Sequence, residues 1–104
     1  MAWLYLAAAG LLEIAWAVGL KYTVGFTRLW PSLFTVAAMA GSFWLLSIAL
    51  KSLPIGTAYA VWTGIGATGT AIIGMMFLGD AVSVLRVLGI AMIVGGILVV
   101  KAAG

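Results

Sequence analysis

Four long apolar runs, separated by short polar breaks, place the strongest constraint on how this chain can fold. The runs cover roughly residues 2–20, 31–50, 55–78 and 84–100. An α-helix rises 1.5 Å per residue, so about 20 apolar residues cross the hydrocarbon layer of a bilayer. Each run is therefore predicted to form one transmembrane helix. The fold class expected is an all-α membrane protein, with one four-helix domain over residues 1–104.

The composition favours lipid over water as the solvent around these runs. Hydrophobic residues make up 66% of the chain and charged residues 7%, whereas soluble domains carry about 25% charged residues. A single core of this size could not hide so much apolar surface from water. No basic segment precedes the first run, so we expect residue 1 to belong to the mature protein. The expected location is the inner (plasma) membrane, which the chain crosses several times.

The residue types that are missing exclude several kinds of site. Cysteine and histidine are absent, which removes disulfides, thiol catalysis and the common transition-metal ligands. The net charge of +3 is spread over breaks and chain ends, so it does not indicate binding to nucleic acid. No cofactor and no metal are expected. An enzyme is the least favoured class, because only Glu13 offers acid–base chemistry at membrane depth.

Glu13 is the most unusual residue of the chain. It lies roughly 16 Å along the first predicted helix, near the middle of the bilayer. An ionisable side chain at that depth costs at least a few kcal/mol and indicates a functional site by default. The structural alternative is a buried ion pair, but no lysine or arginine lies at that depth in the other runs.

Polar and aromatic side chains occur at related depths in the other helices. Residues three or four positions apart share a helix face, so Trp16 lies on the face of Glu13, and Trp62 on the face of Tyr59. Ser42 lies at a similar depth in the second helix. A carboxylate among aromatic rings attracts a cation, and indole N–H and hydroxyl groups can hydrogen-bond the carboxylate. The alternatives are an aromatic packing stripe for Tyr59 and Trp62, and a bond to its own helix backbone for Ser42.

Three glycines interrupt the third helix within the segment GIGATG, namely Gly64, Gly66 and Gly69. The segment does not predict a nucleotide-binding loop, because no lysine follows it. In a membrane helix it indicates a flexible or kinked segment beside the binding face, which suits a transporter. Tight packing against a neighbouring helix is the alternative.

A second group of glycines lies in the fourth helix, at Gly89, Gly95 and Gly96. Small residues on one stripe let two helices approach closely in lipid, where van der Waals packing drives association. Because four helices enclose little volume, we expect this stripe to form a dimer contact. Packing within the chain's own bundle is the alternative.

The basic residues give almost no signal for orientation in the membrane. Lys51 and Lys101 lie on one side, and Lys21, Arg28 and Arg86 lie on the other. Lysine and arginine normally accumulate on the cytoplasmic side. A split of two against three allows either orientation, or both.

The residues discussed above resemble the small multidrug resistance family along nearly the whole chain. The resemblance depends on Glu13, on the motifs KYTVGFTRLWPS and LPIGTAYAVWTGIGATG, and on the paired glycines of the fourth helix. Within the family, LLEIAWAVGLKYT with Trp16, together with Ser42, is similar to the guanidinium exporter subtype.

This resemblance implies an antiparallel, dual-topology homodimer that exports guanidinium in exchange for protons by alternating access. It implies that Glu13 binds substrate and proton, and that the other site residues line the site and hydrogen-bond the carboxylate, namely Trp16, Ser42, Tyr59 and Trp62. The partners expected are therefore guanidinium, protons, membrane lipid and a second copy of the chain.

Three other functions stay open at this point. A broader exporter of drug and quaternary ammonium cations is opposed mainly by Trp16 and Ser42. A passive channel differs from an exporter in that it cannot concentrate substrate against a gradient. A structural or regulatory membrane subunit would have no need for an unpaired Glu13.

Overall fold

The structure, a computed structural model, describes residues 1–103 and contains four α-helices in that range. They are α1 (Ala2–Thr23), α2 (Leu29–Ala49), α3 (Ile55–Phe77) and α4 (Val84–Ala103). Each helix is long and apolar enough to cross a bilayer once. The predicted fold class of four membrane-spanning helices is therefore confirmed, and the chain is a multi-pass membrane protein.

The observed helix ends differ slightly from the predicted ones. α1 ends at residue 23 rather than 20, α4 ends at residue 103 rather than 100, and α2 begins at residue 29 rather than 31. The predictions ended α1 and α4 just before Lys21 and Lys101. Both lysines lie in the last turn of their helix, where the helix dipole favours a cation, so neither residue ends its helix.

α1 and α3 form the centre of the bundle, since α1 contacts α2 and α3, and α4 packs against α3. The chain measures 41 × 35 × 16 Å along its principal axes, so it is a thin slab. Residue 1, residue 103 and the connection 50–54 lie on one side, which we call the terminal face. The connections 24–28 and 78–83 lie on the other side, which we call the far face.

The buried apolar core occupies the half of the slab next to the terminal face. By the helix rise, every core residue lies within about 11 Å of a helix end on that face. The core consists of Leu6, Ala9, Ala49, Ala58, Val61 and Trp62. On the same face, the Lys101 ammonium lies 5.2 Å from the centroid of the Trp3 ring. This contact joins the end of α4 to the start of α1.

A buried threonine organises the turn between α1 and α2. Thr23 is 1% exposed, and its hydroxyl donates to the Leu20 carbonyl at 2.8 Å and accepts from the Phe26 amide at 3.2 Å. Val24, Gly25 and Phe26 have φ values of 48°, 68° and 64°. A β-branched or bulky residue in this left-handed region is uncommon, so the hydrogen bonds of Thr23 compensate for a strained backbone.

We expect Thr23→Val to lower the free energy of unfolding by about 1–3 kcal/mol, because it removes both hydrogen bonds of the buried Thr23 hydroxyl, and one hydrogen bond contributes about 0.5–1.5 kcal/mol. Denaturation of the purified protein in detergent measures this change. Thr27→Val is the matched control. The Thr27 hydroxyl bonds only to nearby carbonyls of the exposed turn, so its loss should matter less. Equal destabilisation by the two variants would contradict this account of the turn.

Candidate functional site

The Glu13 carboxyl group lies at the centre of the slab, between α1 and α3. By the helix rise, Glu13 is roughly 16 Å from the terminal-face end of α1. Its Oε1 atom is buried and has no hydrogen-bond partner within residues 1–103. The only other acidic residue, Asp80, lies in the connection at the far face. The structure therefore places one unpaired carboxyl group at mid-membrane depth.

Gly66 of α3 provides the space for this carboxyl group. A Cβ atom built on Gly66 would collide with Cδ and Oε1 of Glu13. The same two helices approach closely at Gly10, where a Cβ atom would lie 2.6 Å from Cγ2 of Ile65. A glycine on each helix therefore allows α1 and α3 to pack tightly around the carboxyl group.

A chain of two hydrogen bonds lies slightly closer to the terminal face than Glu13. The Trp62 indole N–H donates to the Ser42 hydroxyl at 2.9 Å, and that hydroxyl donates to the Ala9 carbonyl at 2.7 Å. Ser42 is fully buried and Trp62 is 6% exposed. These bonds connect α3 to α2 and α2 to α1, so they hold three helices together one turn away from the carboxyl group.

Aromatic rings form a continuous series beside these hydrogen bonds. Trp16 meets Phe43 edge-on with ring centroids 6.2 Å apart, and Phe43 meets Trp62 edge-on at 5.6 Å. Tyr59 lies next, with its centroid 5.6 Å from that of Trp62. Pairs with this geometry stabilise a structure beyond the area they bury. The predicted aromatic residues of the site thus come together through Phe43.

The predicted hydrogen bonds from these residues to the Glu13 carboxylate are not formed in this structure. Ser42 and Trp62 bond to Ala9 and to each other. The Trp16 indole N–H is buried without a partner among residues 1–103. Bonds to the carboxylate stay a prediction for the assembled, ligand-bound protein. In the described part of the chain, no three His, Cys, Asp or Glu side chains form a metal-binding group.

The three glycines of the GIGATG segment of α3 each face a side chain of a neighbouring helix. Gly64 faces Ile97 of α4, and Gly69 faces Ile14 of α1. The helix is continuous from Ile55 to Phe77. In this conformation these glycines provide close packing, as Gly66 does, and a bend in α3 stays a prediction.

The glycines of α4 lie on a free surface instead. No atom lies within 4 Å of a Cβ built on Gly89, Gly95 or Gly96, and α4 contains no buried residue. Within residues 1–103 this surface has no partner helix. It is therefore available for the dimer contact that the sequence predicts.

Two residues that build the site were not predicted from the sequence. Ala9 takes part through its backbone carbonyl, which an alanine in a helix does not reveal. Phe43 joins the two tryptophans. Its place in the site could have been predicted, because Phe43 follows Ser42 directly in the sequence and so lies at the same depth in α2.

The sequence is similar to known membrane transporters over nearly its full length. A protein from Yersinia pseudotuberculosis named "Guanidinium exporter" is 58% identical over 103 residues, 99% of both chains. A protein of the same name from Proteus vulgaris is 59% identical over 103 residues, also 99% of both chains. One from Salmonella typhimurium is 57% identical over 101 residues, 97% of this chain and 96% of that protein.

A family model gives the same assignment independently. The model described as "Small Multidrug Resistance protein" matches residues 1–93, a range that contains α1, α2, α3 and the first half of α4. With its four membrane-spanning helices, the chain is a multi-pass protein of the inner (plasma) membrane. The chain belongs to the small multidrug resistance family.

Proposed function

We propose that this protein exports guanidinium in exchange for protons by alternating access. The observation that carries the proposal is the Glu13 carboxyl group, which lies at mid-depth with a buried, unpartnered Oε1 atom. A carboxylate without a basic partner in lipid requires either a proton or a cationic ligand. The names of the three relatives support guanidinium as that cation.

The chemistry around Glu13 suits a small planar cation. Guanidinium presents N–H donors around its edge, and a carboxylate accepts two of them in parallel. The ring faces of Trp16 and Phe43 add attraction for a positive charge. The buried indole N–H of Trp16 can also donate to the carboxylate and hold its orientation.

The residues of the site would have different roles in transport. Glu13 would bind guanidinium and the proton in turn, since both need the same carboxylate. Four residues would line the site and orient the carboxylate, namely Trp16, Ser42, Tyr59 and Trp62. For Ser42, this role requires its hydroxyl to leave the Ala9 carbonyl when substrate binds. A bend at the glycines of α3 would accompany the change of access, at Gly64, Gly66 and Gly69.

We also propose that the working unit is an antiparallel homodimer. The free surface around Gly95 and Gly96 of α4 and the thinness of the slab support a second copy of the chain. Lys51 and Lys101 lie on the terminal face and three basic residues lie on the far face, so the charge distribution allows the two copies to insert in opposite orientations.

Two other functions lead to different experimental results. A broader exporter of drug cations would transport bulky quaternary ammonium ions, which the packed indole rings of Trp16 and Trp62 oppose. A passive channel would let guanidinium equilibrate but not accumulate. The proposal does not include enzymatic activity, which the transporter family membership disfavours.

Uptake of guanidinium into proteoliposomes tests the proposal. With an imposed proton gradient, the protein should concentrate guanidinium against its own gradient, and without one it should only equilibrate it. Tetraethylammonium serves as the comparison substrate. Failure to accumulate guanidinium under a proton gradient would overturn the proposal, and equal accumulation of tetraethylammonium would favour the broader drug exporter.

The dimer arrangement makes a prediction of its own. Adding two lysines to the connection 50–54 should bias every copy toward one orientation. Transport by that variant alone should fall, because no oppositely inserted partner is present. Activity should return on co-expression with a variant that carries two extra lysines in the connection 24–28. Normal transport by one strongly biased variant alone would contradict antiparallel assembly.

A further inference from the structure

Two threonines of α3, Thr68 and Thr70, have buried hydroxyls without a hydrogen-bond partner within residues 1–103. A threonine in a helix commonly bonds to the backbone carbonyl three or four residues earlier. The Thr63 hydroxyl of the same helix does so, since it donates to the Tyr59 carbonyl at 2.8 Å. A buried hydroxyl that lacks even this bond is unfavourable for the fold, so its presence needs another explanation.

The two threonines lie on different sides of α3. Successive residues of a helix are rotated by about 100°, so residues two apart point about 200° away from each other. Thr68 lies one turn beyond Gly64, whose added Cβ atom would meet a side chain of α4. Thr70 lies one turn beyond Gly66, whose added Cβ atom would meet the Glu13 carboxyl group. Thr70 therefore belongs to the side of α3 on which Glu13 lies.

The Thr70 side chain leans toward the space that the Glu13 carboxyl group occupies. The Cα–Cβ bonds of a helix tilt toward its N-terminus, so a side chain leans over the residue four positions earlier. For Thr70 that residue is Gly66, which leaves its own side-chain space to Glu13. Cβ positions four residues apart are separated by about 5–6 Å, which is too far for a direct hydrogen bond of about 2.8 Å. In agreement, Oε1 of Glu13 and Oγ1 of Thr70 are both unpartnered within residues 1–103.

Small residues leave room between the carboxyl group and this hydroxyl. By the helix rise, Glu13 and Gly66 lie at roughly 16 Å from the terminal face and Thr70 lies at about 22 Å. The residue one turn beyond Glu13 on α1 is Ala17, which has the smallest side chain after glycine. Trp16 lies at about 21 Å, and its indole N–H is also unpartnered in the described part of the chain. Polar atoms without partners thus lie within one turn of each other on both helices.

A buried guanidinium ion needs an acceptor besides the carboxylate. The ion has three amino groups, and a carboxylate accepts paired N–H bonds from two of them. The third amino group then points away from the carboxylate, and its burial without an acceptor would weaken binding. The Ser42 hydroxyl already accepts a hydrogen bond from Trp62. The Thr70 hydroxyl accepts from no group in residues 1–103, so it is free to accept from the ion.

We propose that Thr70 is a further substrate-binding residue, whose hydroxyl accepts an N–H of the guanidinium ion that Glu13 holds. This inference rests on the proposed function, to which it adds a second acceptor. An ion that donates to both groups forms two N–H···O bonds of about 2.9 Å each, which together match the separation of one helical turn. The hydroxyl also favours guanidinium over quaternary ammonium ions, which have no N–H to donate.

Calorimetric titration of the purified protein with guanidinium tests this role. Thr70→Val replaces the hydroxyl with a methyl group of similar size. The affinity should fall by about tenfold to a hundredfold, the equivalent of one hydrogen bond to a charged group. The variant should resist thermal unfolding at least as well as the wild type, because it loses an unpartnered buried hydroxyl. A loss of binding therefore cannot come from unfolding.

Thr68→Val is the matched control. It makes the same change in the same helix and also removes an unpartnered buried hydroxyl. Its position lies on the side of α3 that faces α4, so it should bind guanidinium as the wild type does.

Two further comparisons separate the hydrogen bond from a change in packing. Thr70→Ser keeps the hydroxyl and should restore most of the lost affinity. The ion N,N-dimethylguanidinium has no N–H on its third nitrogen, while its two amino groups can still face Glu13. Its binding should therefore not be weakened by Thr70→Val.

A role for Thr70 in binding is excluded if Thr70→Val binds guanidinium as tightly as the wild type, or if Thr68→Val loses as much affinity. It is also excluded if Thr70→Ser is as weak as Thr70→Val, or if Thr70→Val loses equal affinity for both ions. Should N,N-dimethylguanidinium not bind to the wild type, the serine variant decides. Absence of guanidinium binding by the wild type would instead refute the proposed function.

Discussion

Replacing Glu13 with glutamine is expected to abolish both guanidinium binding and proton coupling. Glutamine has nearly the same size and fits beside Gly66, but it carries no charge at any relevant pH. Removing one partner of a buried charge pair costs about 2–5 kcal/mol, so the affinity should fall by about thirtyfold to about four-thousandfold. Calorimetric titration of the purified protein with guanidinium measures the loss.

The matched variant Glu13→Asp separates charge from geometry. Aspartate keeps the carboxylate but withdraws it by one methylene from the position next to Gly66. It should therefore bind guanidinium more weakly than the wild type while keeping the dependence on pH. If Glu13→Gln binds as well as Glu13→Asp, the carboxylate charge is not what holds the cation.

Gly66→Ala should have the second-largest effect, although the new methyl group carries no charge and touches no solvent. Its Cβ atom would overlap the Glu13 carboxyl group, so either the carboxyl group or the α1–α3 contact must shift. Overpacking of this kind costs about 1–3 kcal/mol. If the carboxyl group moves, guanidinium affinity should fall by about tenfold to a hundredfold.

Gly56→Ala is the control for this substitution. Gly56 lies at the start of the same helix, and no atom lies within 4 Å of its added Cβ. The control should bind guanidinium as the wild type does and should be at least as stable, because alanine favours a helix over glycine. Wild-type binding by Gly66→Ala would show that the contact with α3 does not position Glu13.

Much of the fold was predictable because a lipid environment permits few kinds of backbone structure. Each apolar run is long enough to span once, and a backbone in lipid must satisfy its hydrogen bonds within a helix. The largest errors were at the C-terminal ends of α1 and α4, because a lysine in a last turn, such as Lys21 or Lys101, neither breaks a helix nor has to lie outside it.

The residues of the site could be predicted from the sequence, but the hydrogen bonds between them could not. Glu13 could be identified from its depth alone, and the helical spacing grouped Tyr59 with Trp62. The bond from Ser42 to Ala9 could not be predicted, since it depends on how far α1 and α2 slide past each other. No local pattern in either helix encodes that offset.

The most direct test of the shared carboxylate is guanidinium affinity across a pH series, with Glu13→Gln as the control. Protonation removes the negative charge of Glu13, so affinity should weaken as the pH falls through the titration of this group. The expected change is up to about tenfold per pH unit for each proton that guanidinium displaces. At pH values above the titration, affinity should become constant. Affinity that stays constant over the whole series, or that persists in Glu13→Gln, would contradict exchange of proton and guanidinium at one carboxylate.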